Sequence, residues 1–314
     1  MDEFYKNFTA KTYNGYRVTA IDGITLNLPY HEESISEFKI QKSTGGQIQA
    51  LGSCLYDVLN EIIIDADIGS YDASEREFAV CHLERLAAIP NGKELVILDR
   101  GYPSRSLIKA IEDMGFKYLI RCSSSFVQGM RRKITSDDCI VLHKFYGDTH
   151  DFRFRVVTVT LQSGESEYLI TNIFDEFTKD NFYELYHLRW EIETNYNDIK
   201  NKLNIESFSG ATPIAIKQEF YATTFLRNLA SMMILENADQ VDELQNSKGN
   251  KYEYKANTNA VISVLKIDLI KLFVTDSERK KRTLWKKIYR ELSNAVIPIR
   301  PGRSFPRRRK HKVW

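Results

Sequence analysis

The chain has 314 residues, 43% of them hydrophobic and 27% charged, with four scattered cysteines and no C-x-x-C pair. That composition excludes a disulfide scaffold and a Cys-based structural zinc site, and no apolar run reaches the ~18 residues of a membrane span. A net charge of +2, taken alone, speaks against a strongly basic nucleic-acid binder.

Met1 to Ala10 carries acids and lacks the apolar core of a secretory signal, which with the cysteine usage fits a reducing cytoplasm. Tyr16–Asp22 reads as a strand, Gly23 as a tight turn, and Ile24–Leu28 as a second strand ended by Pro29. Gln41–Gly46 is a loop, Gln47–Val58 a third strand, and Glu61–Ala66 a short extended run. Ser74 with Glu77 three residues on marks a helix start that runs to about Ala88, closed by Pro90–Gly92. Glu94–Leu98 is a continuous apolar strand, the pattern of burial on both faces, and it ends in Asp99-Arg100-Gly101-Tyr102. A helix over Pro103–Met114 and a strand over Tyr118–Arg121 follow. Between Ser123 and Ile173 the runs Cys139–Phe145, Phe152–Leu161 and Glu167–Thr171 alternate, indicating a β-rich insertion. Helices are expected over Thr178–Leu203, Pro213–Leu235, Val261–Phe273 and Leu284–Ser293, with a polar linker over Asn246–Asn259. This order predicts an α/β fold, a mixed sheet flanked by helices, with Asp22 and Asp99 both at strand ends, where ligands tend to bind.

The helix over Thr178–Leu203 sharpens the reading. At about 100° per residue, Tyr186, Arg189, Glu193 and Lys200 share an arc of about 60°, beside an apolar stripe of Leu185, Leu188, Ile192, Ile199 and Leu203. Arg189 and Glu193 alone would suit a surface ion pair, worth ~0.3–0.5 kcal/mol. Together with Asp22 and Asp99, Glu193 makes a set of three carboxylates that can bind two divalent cations, and hard oxygen donors suit Mg²⁺ or Mn²⁺. The six histidines show no metal-ligand spacing, so His31, His82 and His187 read as structural. Charge also divides along the chain: Arg279 to Lys312 hold fourteen Lys or Arg and one acid, Glu291, so the +2 of the whole leaves −11 on residues 1–278. The basic end is either a solvated tail or a hand for a polyanion such as DNA.

Tyr186-x2-Arg189-x3-Glu193-x6-Lys200, preceded by Asp22-Gly23-x-Thr25-Leu26 and by Asp99-Arg100-Gly101-Tyr102, resembles the motifs of bacterial insertion-sequence transposases of the insertion sequence 4 family. The resemblance covers about Tyr16 to Leu229. It implies a ribonuclease-H-like mixed sheet flanked by helices, with a β-rich insertion and a helical C-terminal region. The implied division is 1–122 and 175–235 for the catalytic core, 123–174 for the insertion and 236–314 for a helical, basic region. It implies that Asp22, Asp99 and Glu193 are the catalytic metal ligands for Mg²⁺ or Mn²⁺. Tyr186, Arg189 and Lys200 would contact DNA, as would Arg100 by phosphate contact and Trp190 by base stacking; an ion pair and core packing are the alternatives for those two. The implied activity is cleavage of transposon ends and transfer of the freed 3′-hydroxyl to target DNA, by a nucleoid-associated cytoplasmic protein, homodimeric on DNA and independent of membranes.

Two departures from the pattern bear on function. Only 21 residues precede Asp22, where relatives usually carry an end-binding region of ~100 residues, the size of a small domain. A non-catalytic DNA-binding remnant is therefore the competing reading. Hairpin-forming relatives can hold a flipped base on an insertion tryptophan, and no Trp lies between Asp99 and Arg189. Phe145, Tyr146, Phe152 or Phe154 either substitutes or packs the sheet.

Overall fold

The structure is a computed structural model that describes residues 5–6, 8–41, 45–89, 92–147, 149–160, 166–246 and 252–299. The RSFPRRRKHK run with Phe305, and Pro90 and Asn91 of the expected turn, lie outside the described residues. The chain divides into two compact units, Met1–Asn228 and Leu229–Trp314.

The first unit is built on one nine-stranded mixed sheet. Strand β1 (Tyr16–Asn27) pairs antiparallel with β3 (Gln47–Asp57), which pairs in turn with β2 (Ile40–Gln41) and β4 (Ile62–Ser70). On its other side β1 runs parallel to β5 (Lys93–Leu98), and β5 runs parallel to β6 (Lys117–Cys122). The three strands of the expected insertion, β7 (Asp138–His143), β8 (Phe152–Thr160) and β9 (Ser166–Thr171), continue the same sheet through the antiparallel pairing of β6 with β9. Arg17 on β1 and Glu94 on β5 face each other in register, and their buried side chains pair at 2.6 Å.

The strand read as two, with a turn at Gly23, is one. Gly23 keeps an extended backbone and pairs with Ser53, so the ladder passes through it. A Cβ at Gly23 would collide with the Glu75 carboxylate, so the glycine provides clearance for a neighbour and makes no turn. A short helix α1 (Glu32–Phe38), capped by the His31 side chain, follows β1. No apolar period marks it in the sequence, because a seven-residue helix is too short to show one.

Helices α2 (Glu75–Ala87) and α3 (Arg105–Asp113) start at side-chain caps from Ser74 and Ser104. Leu83, Leu86, Leu107, Ile108 and Ile111 of these helices bury against Ile21, Val96, Leu98, Tyr118 and Ile120 of the sheet. Short helix α4 (Ser124–Val127) adds Val127 to the same core. Side chains alternate along a strand, so Asp22, next to Ile21, points to the opposite face.

The expected continuous helix over Thr178–Leu203 is in three parts. Helix α5 (Lys179–Leu188) opens on a capping box between Thr178 and Asn181, α6 (Trp190–Asn197) follows, and Asp198–Lys202 forms a π-helical turn. At Arg189 the backbone tightens, with Arg189 N–H donating to Tyr186 O and Ile192 N–H to Arg189 O, each at 3.2 Å. At the far end it widens, Leu203 N–H donating to Asp198 O at 2.9 Å. Helix α7 (Pro213–Glu236) anchors to the sheet through Asn228, whose amide bonds both backbone groups of Ile63.

The second unit holds α8 (Ala238–Asn246), β10 (Tyr254–Ala256), α9 (Thr258–Val274), α10 (Glu278–Asn294) and β11 (Val296–Pro298), with β10 and β11 paired. Helix α10 extends further toward its N-terminus than apolar spacing suggested, because its first turn is polar and is capped by Ser277. No helix among the described residues is long and apolar enough to cross a membrane.

Candidate active site

The site lies where the parallel strands β1 and β5 part. Ala20 pairs with Ile97, the last parallel partner, so two residues further Asp22 stands level with Asp99. Asp22 is thus inside β1, and what ends beside it is the pairing with β5. This corrects the expectation that Asp22 terminates its strand.

Helix α6 covers this edge. The Tyr196 hydroxyl donates to the Asp22 carbonyl at 2.5 Å and accepts from the Cys54 N–H at 3.0 Å, fixing α6 across β1 and β3. Arg189, only 4% exposed, then reaches both acids: Nη1 lies 3.4 Å from Asp22 Oδ2 and Nη2 lies 2.8 Å from Glu193 Oε1. Its Nε is buried with no hydrogen-bond partner among the described residues. Tyr186 donates to Asp99 Oδ1 at 3.1 Å, and the Arg100 N–H donates to the same oxygen at 2.6 Å. Of the expected residues, Asp22, Arg189 and Glu193 form one bonded set and Asp99 and Tyr186 another, and the two sets adjoin where the Arg189 guanidinium lies 5.9 Å from the Tyr186 ring.

The other three stand differently. Lys200, in the π-helical turn, donates to the Thr25 carbonyl at 2.6 Å and lies 3.5 Å from Glu206. That holds it beside β1, three residues beyond Asp22. The Arg100 side chain is exposed. Trp190 is 45% exposed, with the Arg189 guanidinium 5.6 Å from its ring. Of the insertion aromatics, Phe152 and Phe154 are fully buried in the core and cannot offer a face to a base, whereas Tyr146 is fully exposed.

Three residues that sequence reasoning missed complete the group. Glu75, in the first turn of α2, fills the clearance at Gly23. Arg121, at the end of β6, lies 3.9 Å from Asp99 and pairs with Glu167. Tyr196 fixes α6 as described. The one signal in the sequence was the glycine beside Asp22, which implies a close neighbour but does not name it.

Burial pushes the Asp22 carboxyl up to about 6; the Gly23 N–H and Arg189 oppose the rise, and the charges of Glu75 and Asp99 add to it. Burial, and then Asp99, raises Glu75 as well. Burial disfavours the Arg189 charge, yet Glu193, Tyr186, Asp99 and Asp22 outweigh it and raise that group. The site is thus a crowd of oxygen anions with Arg189 as partial counter-ion to Asp22 and Glu193 and Arg121, shared with Glu167, at the edge of Asp99. Hard, crowded carboxylates under-compensated by protein cations fit a divalent cation.

A second acidic group lies apart from this one. Ligand atoms of Asp65, Asp67 and His82 fall within 4.8 Å of one another. Arg85 already bonds both aspartates, at 2.7 and 2.6 Å, and the fully buried His82 uses both ring nitrogens, on Asp65 and Ser53. With its charge compensated and its imidazole satisfied, this group is a structural network joining α2 to β3 and β4, the role expected of His82.

Residues 13–229 match the family model of the transposase DDE domain. The transposase InsG for insertion sequence element IS4 of Escherichia coli (strain K12) is 23% identical over 321 aligned positions, covering 96% of this chain and 69% of that protein. Among solved structures, the piggyBac transposase synaptic complex with hairpin DNA superposes with a TM-score of 0.50 at 14% identity, covering 92% of this chain. The chain spans 59% of the length of that protein. At that identity the likeness concerns the fold, which is ribonuclease-H-like.

Proposed function

Because the chain belongs to the DDE transposases, of the insertion sequence 4 type, we propose that it cleaves DNA at the ends of an insertion sequence and joins the freed ends to target DNA. In this reading Asp22, Asp99 and Glu193 are the catalytic carboxylates and hold Mg²⁺ or Mn²⁺. The observation that carries it is Arg189, which joins Asp22 to Glu193 beside Asp99 and Tyr186.

The metal, when bound, supplies charge stabilisation for attacking and leaving oxygens and acidifies a bound water. The protein's own groups supply the rest. Arg189 holds Glu193 against the strand edge and sets a fixed positive charge beside the carboxylates, which favours a scissile phosphate brought to them. Tyr186 fixes the Asp99 carboxylate by its hydrogen bond, and the exposed Arg100 side chain beside it is open to a backbone phosphate. Lys200 and Trp190 extend the contact surface along the same helical run. In this reading the reaction runs on DNA in the bacterial nucleoid, with two protomers on the paired ends.

The test is nicking of a labelled duplex that carries the element's terminal inverted repeats, with and without Mg²⁺ or Mn²⁺. Metal-dependent cuts at the repeat boundary are expected. Specific binding with no cut at any metal concentration would instead establish the DNA-binding remnant.

A further inference from the structure

The catalytic reading leaves the charge of the second unit unused. Helix α10 carries seven Lys or Arg against two Glu. Lys281 pairs with Glu278 at 3.1 Å, and Lys287 pairs with Asp268 at 3.1 Å and Glu291 at 3.6 Å. Arg279, Lys280, Arg282, Lys286 and Arg290 are exposed and make no ion pair among the described residues.

Four of these five form a line. With Arg279 at the origin and about 100° per residue, Arg282, Lys286 and Arg290 fall within an arc of about 80° and span ~16 Å of axis. Ile288 and Leu292, buried at 0% and 1% exposure, lie on the opposite side of the helix. A shallow groove lined by Glu278, Arg279, Arg282, Thr283 and Lys286 follows its first two turns, and the one acid there, Glu278, borders the row at its start and is paired with Lys281. With Ile288 and Leu292 buried, Trp285 at 39% exposure is the one large apolar side chain that α10 leaves open, too little apolar surface for the helix to insert into a bilayer, so an anionic membrane is a poor partner. A stretched row of four cations, unpaired among the described residues and bordered by a single acid that Lys281 already pairs, is instead complementary to a regular polyanion. One strand of duplex DNA presents a phosphate every ~3.4 Å of axis, so the row runs beside about five of them.

We propose that Arg279, Arg282, Lys286 and Arg290 bind the sugar-phosphate backbone of duplex DNA without regard to sequence. The choice of DNA as the polyanion rests on the transposase reading; the surface itself rests on α10. It gives the molecule a grip on flanking or target DNA separate from the carboxylate site.

The test uses the full chain and a duplex of about 30 base pairs lacking the terminal repeats, with affinity followed by fluorescence anisotropy across a salt series. The variant Arg279→Gln/Arg282→Gln/Lys286→Gln/Arg290→Gln is expected to lower the slope of log affinity against log salt by about 3–4, at ~0.9 for each phosphate no longer neutralised, and to bind at least ~10-fold more weakly. Circular dichroism and thermal melting check that it folds. A charge-matched control, Lys39→Gln/Lys109→Gln/Lys179→Gln/Lys217→Gln, removes cations already paired with acids and is expected to change the slope by less than 1. An unchanged slope in the α10 variant, or a loss of affinity no larger than the control's, overturns the proposal. Nicking is scored separately. Wild type that nicks while the α10 variant binds normally removes this proposal alone. Wild type that never nicks, yet binds through α10, removes the catalytic reading alone.

Discussion

Glu193→Gln is expected to reduce metal-dependent cutting by about 10³-fold or more, equivalent to ~4 kcal/mol of transition-state stabilisation. The substitution keeps shape and one oxygen but removes the charge that faces Arg189 at 2.8 Å. Two effects then oppose each other. The donor set for a divalent cation loses a full negative charge, which lowers turnover. Arg189 loses its principal counter-ion and becomes a stronger phosphate ligand, so binding of an end duplex should hold or tighten. The signature is therefore abolished cutting with retained binding, read by gel assay and anisotropy on the same preparation. Asp65→Asn, in the charge-compensated network beside His82, should leave cutting within about threefold of wild type. Equal cutting by Glu193→Gln and wild type would remove Glu193 from the chemistry.

The second large effect concerns stability and runs through Arg189. Asp22 has its carboxyl raised from 3.8 to about 6 by burial, so its ionised form opposes folding. Stability from the neutral form is complete below about pH 4 and is lost as pH rises through about 6, a penalty on the order of 2–3 kcal/mol at neutral pH. Arg189 is the cation that limits this rise. Arg189→Met should cost about 2–4 kcal/mol at pH 7.5, because it leaves half-buried carboxylates without their partner. The deficit should shrink as pH falls through 6 and Asp22 takes up a proton. Asp22→Asn should do the reverse and raise stability at pH 7.5 by about 1–2 kcal/mol, as a group kept for function rather than for folding. Denaturant unfolding of the three proteins at pH 5 and 7.5 checks both signs. An Arg189→Met deficit that is flat with pH would disconnect Arg189 from Asp22.

What could be read from the chain follows the reach of each signal. Glu94–Leu98 announced β5 because a strand buried on both faces leaves an unbroken apolar run, and Asp99 follows directly from its end. Tyr186, Arg189 and Glu193 were legible as one face because helical spacing is local. The tightening at Arg189 and the π-helical turn at Asp198–Lys202 were not, since both depend on what the helix meets across the sheet. The turn expected at Gly23 is absent for the same reason. The glycine's lack of a side chain suits a turn in isolation, and only the position of α2 shows that the space is taken by Glu75. The strands from Asp138 to Thr171 were visible by alternation, but their membership of the central sheet is set by the pairing of β6 with β9, which no single strand encodes. The charge division survives in the described part of the chain as a row on α10. In the first unit, the clustering of Asp22, Asp99 and Glu75 explains why an acidic body can still suit phosphate chemistry once a cation is present.

The central claim is that the divalent cation sits among Asp22, Asp99 and Glu193 and not at the other acidic group. Replacing Mg²⁺ with Fe²⁺ and generating hydroxyl radicals with ascorbate and peroxide cuts the backbone next to the bound ion, and the fragments can be mapped by mass spectrometry. Cuts beside Asp22, Asp99 and Glu193, suppressed by excess Mg²⁺ and absent from Asp22→Asn/Glu193→Gln, are the result expected. Cuts confined to the neighbourhood of Asp65, Asp67 and His82 would contradict it.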